Sequence, residues 1–139
     1  MSSLNIMVIE DNKIVVLGIN KIYSKHIPDA VISSAENGLQ AIDLLSKIEG
    51  PENLPCFIIL DINMPIMNGV EFLEIIKKDD TLKQIPVVVH TTSSSVEDYK
   101  TCKSMGISGY YVKHIDFSIY KNNLITIADY WNNSYRNKL

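Results

Sequence analysis

The chain has 139 residues, 46% of them hydrophobic and 21% charged, with 13 basic against 16 acidic side chains and a net charge of −3. That length and composition suit one ordinary globular domain, residues 1–139, and leave little room for a second. No apolar run approaches the roughly 18–20 residues of a membrane span. The basic stripe that supplies most of the affinity for nucleic acid is missing, since Lys77-Lys78 runs directly into Asp79-Asp80.

The first strand is predicted over residues 4–9, which close on the acids Glu10-Asp11. The stretch before it lacks the basic start and small-residue cleavage site of a secretory leader. Val15, Gly18, Ile19 and Ile22 then fall at i, i+3, i+4, i+7, one apolar stripe on a helix. A weaker strand is expected over 30–35, and a second helix carries Ala41, Leu44, Leu45 and Ile48. Residues 50–55 form a loop. After Pro55 the continuous run 56–60 reads as a third strand and closes on Asp61, and Phe72, Ile75 and Ile76 mark a third helix. The fourth strand, 86–90, runs into Thr91-Thr92. Ser94-Ser95-Val96-Glu97 has the pattern of a capping box opening a fourth helix, which Gly106 ends. That helix has the poorest stripe, Val96, Tyr99 and Cys102, and is expected to be the most loosely held. The fifth strand, 109–112, closes on Lys113. Leu124, Ile127, Ala128 and Trp131 give the fifth helix, which completes a core of about 4–131, and 132–139 is expected to be a polar tail.

Unbroken β-branched runs alternating with amphipathic helices imply right-handed βαβ units and an open parallel sheet covered on both faces. In such a sheet the C-terminal ends of the strands share one edge, where ligands bind. Glu10, Asp11, Asp61, Thr91 and Lys113 all follow strand ends. Singly, an acid or threonine there is a cap or turn residue, and a lysine is a solvated charge. Gathered on one rim, the carboxylates repel one another and need a reason to be close. A hard divalent cation is the simplest reason, and oxygen ligands that leave room for water and phosphate suit Mg²⁺. A carboxylate beside Mg²⁺ is also a competent nucleophile toward phosphorus.

Residues 61–69, Asp-Ile-Asn-Met-Pro-Ile-Met-Asn-Gly, resemble the D-x-x-M-P-x-M-x-G signature of response-regulator receiver domains. Glu10-Asp11 resembles the acidic pair of that family, 85–91 its fourth strand with a switch threonine, and 109–113 its fifth strand with a lysine. The resemblance runs from Leu4 to about Trp131. It implies an α/β fold, flavodoxin-like and CheY-like, with a doubly wound five-stranded parallel sheet of order 2-1-3-4-5 and five helices. It also implies the roles. Asp61 is the phosphoacceptor. Asp11, Asp61 and the backbone carbonyl of Asn63 bind Mg²⁺, with Glu10 in its outer shell. Lys113 pairs with a phosphoryl oxygen, Thr91 donates its hydroxyl to the phosphoryl group, and Tyr110 is the aromatic switch residue that follows Thr91. The implied partners are a sensor histidine kinase or histidine phosphotransfer protein and a downstream protein target. A homodimer through the fourth helix, fifth strand and fifth helix is a further expectation; nucleic acid and membrane are not.

Two departures stand out. His114 replaces the proline that usually follows the lysine, so a cis bond there, costing about 2.5–4 kcal/mol, is not expected. Thr92 replaces a very small residue beside the phosphate site. His90, in a strand, is expected to be packed or hydrogen-bonded, and one imidazole is no metal signature. Cys56 and Cys102, without CxxC spacing, read as reduced thiols of a cytoplasmic protein. The expected function is that of a stand-alone regulator that is a phosphoacceptor rather than an enzyme, similar to the small regulators of phytochrome-type kinases. Three alternatives stand beside it. One is a degenerate receiver serving only for docking. The second is an aspartate-nucleophile phosphatase, which lacks its second aspartate because position 63 is Asn63. The third is a flavodoxin, whose flavin phosphate Glu10-Asp11 would repel.

Overall fold

In the computed structural model, which describes residues 4–137, strand and helix alternate five times. The elements are β1 (Asn5–Ile9), α1 (Lys13–His26), β2 (Val31–Ala35), α2 (Gly38–Ser46), β3 (Phe57–Leu60), α3 (Gly69–Ile76), β4 (Val87–Thr91), α4 (Val96–Ser104), β5 (Gly109–Val112) and α5 (Phe117–Asn137). Every strand pairing is parallel and the sheet order is β2-β1-β3-β4-β5, as the resemblance implies. The chain leaves β1 outward to β2 and returns to the other side of β1 for β3. The ends of β1 and β3 therefore diverge into helices on opposite faces, which opens a crevice between them.

Side-chain alternation sorts the strand residues onto two faces. Met7, Ile9, Ile58, Leu60, Val87 and Val89 pack with Leu45 of α2, Phe72 and Ile76 of α3 and Cys102 of α4. Ile6, Val8, Phe57, Ile59 and Val88 pack with Ile19 and Tyr23 of α1 and Leu124 and Ile127 of α5. The central strands β1, β3 and β4 are buried almost throughout, whereas the edge strands β2 and β5 are partly exposed, each having one strand neighbour instead of two.

Several boundaries differ from the sequence reading. The cap of α4 is Ser95, which accepts from the Asp98 amide at 3.3 Å, so the capping role falls one residue later than Ser94. Only Cys102 of that helix is fully buried, in line with its weak stripe. A complete capping box opens α3 instead: Asn68 accepts from the Glu71 amide at 2.9 Å and Glu71 accepts from the Asn68 amide at 3.0 Å. The last helix continues to Asn137, past the end expected after Trp131, while Met1 to Ser3 and residues 138–139 lie outside the described residues. No described peptide bond is cis, so His114 follows Lys113 through a trans bond. No helix among the described residues is long and apolar enough to cross a membrane.

The turn from β3 into α3 is the tightest part of the site's frame. A Cβ on Gly69 would lie 2.7 Å from both the Asp61 carbonyl oxygen and Ile62 Cα, backbone atoms with no room to yield. Gly18, inside α1, has nothing within 4 Å of its Cβ position. Gly69→Ala is therefore expected to cost about 1–3 kcal/mol by overpacking. Gly18→Ala is expected to gain about 0.5–1 kcal/mol, because alanine is the better helix former. Urea denaturation of the two variants separates these effects, and equal stability of both would refute the close-approach argument.

Candidate functional site

The ends of β1, β3 and β5 bring Glu10 and Asp11, Asp61, and Lys113 together. Glu10 follows β1, and its backbone amide donates to the Ala35 carbonyl at 3.0 Å, which keeps the residue in line with the sheet. Its carboxylate accepts from the Asn12 amide at 3.2 Å, and Asn12 in turn caps α1. Asp61 follows β3, with its amide donating to the Ile9 carbonyl at 3.0 Å. One carboxylate oxygen from each of Glu10, Asp11 and Asp61 lies within 4.8 Å of the others. Glu10 and Asp61 are buried, at 4% and 7% exposure, and Asp11 is exposed.

Lys113, past the end of β5, reaches back over the crevice. Its Nζ is 2.5 Å from Glu10 Oε1 and 3.5 Å from Asp61 Oδ2. The Lys113 amide donates to the Thr91 carbonyl at 2.6 Å, which fixes where the lysine leaves the sheet. Burial pushes the Glu10 carboxyl up to about 7; the Lys113 hydrogen bond opposes this and the charge of Asp61 adds to it. Burial works against the charge of Lys113, but the Glu10 hydrogen bond and the Asp61 charge outweigh it and hold the ammonium above its ordinary value. Three carboxylates and one ammonium carry a formal charge of −2. The donors are all hard oxygens, one of them facing solvent, and that combination fits a small divalent cation.

The other residues singled out from sequence lie around this cluster. The Asn63 amide donates to Asp61 Oδ1 at 3.3 Å. Thr91 is fully buried at the end of β4, and its Oγ1 accepts from the Ser93 amide at 3.3 Å. Tyr110 is half-buried, its ring edge-on to Tyr99 with centroids 5.3 Å apart, and its hydroxyl donates to the Ser93 carbonyl at 3.1 Å. Ser93 and its partner Asp98, 2.5 Å from the Ser93 hydroxyl, were not legible as site residues, because neither lies in a distinctive motif. The connection between Asp61 and α3 holds Ile66 at φ 68°, a left-handed conformation uncommon for a β-branched residue. Its side chain is strongly exposed.

His90 points to the opposite face of β4 from Thr91. It is packed, as expected, at 1% exposure, but it is not hydrogen-bonded: neither Nδ1 nor Nε2 has a partner. Its ring tilts against Tyr120 of α5, with centroids 5.2 Å apart. Burial holds its pKa down to about 4, with the charge of Lys113 adding and that of Asp61 opposing.

The model of the response regulator receiver domain family matches residues 6–124. The chain is 32% identical over 127 residues to the probable methanogenesis regulatory protein FilR2 of Methanothrix harundinacea, a match covering 91% of this chain and 82% of that protein. It is 32% identical over 111 residues to the nitrate/nitrite response regulator protein NarL of Escherichia coli, covering 80% of this chain but only 48% of that protein. Among solved structures, the phosphorylated cyanobacterial phytochrome response regulator RcpA superposes with a TM-score of 0.86 at 28% identity, covering 96% of each chain. The Mn(2+)-bound form of response regulator Rcp1 gives 0.81 at 29% identity, covering 91% of this chain and 93% of that one.

The bare ring of His90 makes stability depend on pH with a definite sign. Its pKa is near 6.5 in the unfolded chain and about 4 in the fold, so between those values the unfolded state holds the extra proton. Stability therefore falls as pH drops through that window, by about 2 kcal/mol between pH 7 and pH 5. His90→Phe, which keeps the ring and removes the titration, is expected to lose that share of the slope in urea denaturation. Identical pH profiles for the two proteins would exclude His90 as its source.

Proposed function

Because the chain belongs to the response regulator receiver domain family, a family of two-component signalling modules, we propose that it accepts a phosphoryl group on Asp61 from a phosphohistidine of a partner kinase or phosphotransfer protein. The observation that carries this reading is the convergence of Glu10, Asp11 and Asp61 within 4.8 Å, with Lys113 bridging Glu10 and Asp61. An Asp61 carboxylate oxygen attacks phosphorus, and the new P–O bond forms as the P–N bond breaks. The imidazole leaves with the electron pair and takes up a proton.

Mg²⁺ is the cation proposed for the acidic cluster, held by Asp11, Asp61 and the Asn63 carbonyl, with Glu10 in its outer shell. When bound, it supplies neutralising charge to the phosphoryl oxygens. The manganese-bound Rcp1 and the phosphorylated RcpA support both halves of this reading. Lys113 then exchanges its contact with Asp61 for a phosphoryl oxygen. Thr91 donates its hydroxyl to another, and Tyr110 responds through the loop they share. Phosphorylation adds roughly −1.5 to −2 charges and strong acceptors, and these two donors are the ones to read them.

The surroundings favour a protein donor. Ile14 in the first turn of α1, Ile66 between β3 and α3, Ile115 between β5 and α5, and Phe117 at the start of α5 are strongly exposed. Apolar side chains around an acidic centre suit docking of a partner that brings its own phosphohistidine. Output is proposed to run through a downstream protein or a homodimer at α4, β5 and α5, in the cytoplasm, where the free Cys56 and Cys102 remain reduced.

Incubation with acetyl phosphate and Mg²⁺, followed by intact mass, is expected to add one phosphoryl group to the native chain and none to Asp61→Asn. Equal labelling of both would reject Asp61 as the acceptor. No labelling of either, by acetyl phosphate or by kinase, would leave docking as the function. Asp11→Ala is expected to weaken Mg²⁺ binding by about tenfold or more. Calorimetry is the suitable readout, because Trp131 lines a cleft with Ser108 and Gly109 at the start of β5, the end away from Lys113.

A further inference from the structure

On an acidic chain, the groove between α1 and α5 is basic. Lys21, Lys25 and His26 line it from α1, and Lys121 from α5, around a volume of about 440 Å³. Among the described residues, no ion pair uses Lys21, Lys25 or Lys121, as is also true of Lys77, Lys78, Lys100 and Lys103, whereas Lys13, Lys47, Lys83 and Lys113 pair with carboxylates. The one acid beside the groove that does form an ion pair, Asp129, is taken by His26 at 2.6 Å. The last turn of α1 accounts for Lys25 and His26, since cations suit the negative end of a helix dipole. It accounts for neither Lys21 nor Lys121.

The floor is apolar. Ile22 from α1 and Ile125 from α5 line the groove beside the cations, as does Phe117, 65% exposed and stacked on Tyr120 with centroids 6.2 Å apart. The rows have helical spacing. Leu17, Lys21 and Lys25 follow one another at i, i+4, i+8 on α1, and Phe117, Lys121 and Ile125 do so on α5. Leu17, Lys21 and Lys25 also line an adjoining depression, so the surface continues along α1. Ridges one helical turn apart, carrying cations beside apolar contacts, form the complement of an amphipathic helix with carboxylates beside leucine-like side chains. A phosphate backbone would satisfy the lysines and leave the apolar floor unmatched.

We propose that the α1–α5 groove of Lys21, Lys25 and Lys121 over Ile22, Ile125 and Phe117 is a docking site for an acidic amphipathic helix of a partner protein. The site lies along the helices rather than among the carboxylates, and it does not require phosphoryl transfer.

The test uses the full chain and a short helical peptide built of glutamate and leucine, followed by calorimetry and amide NMR. Shifts are expected at Lys21, Lys25, Lys121 and Ile125, with binding that weakens as salt rises. The triple variant Lys21→Glu, Lys25→Glu, Lys121→Glu should bind about tenfold more weakly or worse, and the triple Lys→Arg variant within about twofold of the native chain. Circular dichroism confirms that both variants fold. Asp61→Asn should bind like the native chain, which separates this proposal from the phosphoacceptor reading. The proposal is overturned by Lys→Glu binding within about twofold of native, by equal binding of a lysine–leucine peptide, or by shifts confined to other surfaces. Tighter binding of phosphatidylglycerol vesicles or of a single-stranded oligonucleotide through the same lysines would also overturn it.

Discussion

The arrangement that everything else serves is the contact of one ammonium with two buried carboxylates. Glu10 and Asp61 stand at the ends of neighbouring parallel strands, and among the described residues Lys113 is the cation that pairs with both. Burying such groups is costly unless charge and hydrogen bonds compensate, and one cation for three acids leaves the compensation incomplete. The incompleteness is visible in Glu10, whose carboxyl is pushed up to about 7 by burial and by Asp61 despite the lysine. One ammonium against three acids leaves the cluster acidic, which suits the divalent cation proposed for it. The fold tolerates the deficit because Asp11 keeps one side of the cluster in water.

The frame around this centre accepts local cost in return for placement. The close approach of Gly69 to the Asp61 carbonyl brings the start of α3 against the end of β3. The capping box of Asn68 and Glu71 then fixes the first turn of that helix. Between them the backbone turns tightly, with the Met67 amide donating to the Pro65 carbonyl at 2.8 Å and Ile66 left in a conformation that costs roughly 1–3 kcal/mol. An asparagine or glycine would adopt it more easily. The isoleucine side chain faces solvent, so its gain does not come from packing within this chain.

What the sequence makes legible is what the parallel sheet makes simple. Glu10, Asp11, Asp61, Thr91 and Lys113 each follow an apolar run, and parallel pairing alone brings such positions to one edge. Features that depend on how helices lie across the sheet were not legible. His90 reads as an ordinary strand residue until α5 sets Tyr120 against its ring and leaves both nitrogens bare. The lysines of the α1–α5 groove are about a hundred residues apart in the chain, and their isolation from acids follows from the packing of two helices. The capping box at Asn68 and Glu71 could have been read directly, whereas the cap of α4 could not be fixed between Ser94 and Ser95, because an acid follows each of them three residues later, Glu97 and Asp98.

The loop after β4 links the end of that strand to both α4 and β5. Thr91 Oγ1 accepts the Ser93 amide, the Ser93 hydroxyl is held by Asp98 of α4, and the Ser93 carbonyl accepts the Tyr110 hydroxyl. One residue thus carries contacts to the strand, the helix and the aromatic ring. A Thr91 hydroxyl that turns toward a phosphoryl oxygen loses its alignment with the Ser93 amide, and Ser93 cannot move without disturbing Tyr110. The resistance to such movement is small, since α4 buries only Cys102 fully and its Tyr99 rests on Tyr110 itself. Helix α4 is thus weakly anchored and tied to a buried threonine through a single serine, which suits the switch role proposed for Thr91 and Tyr110.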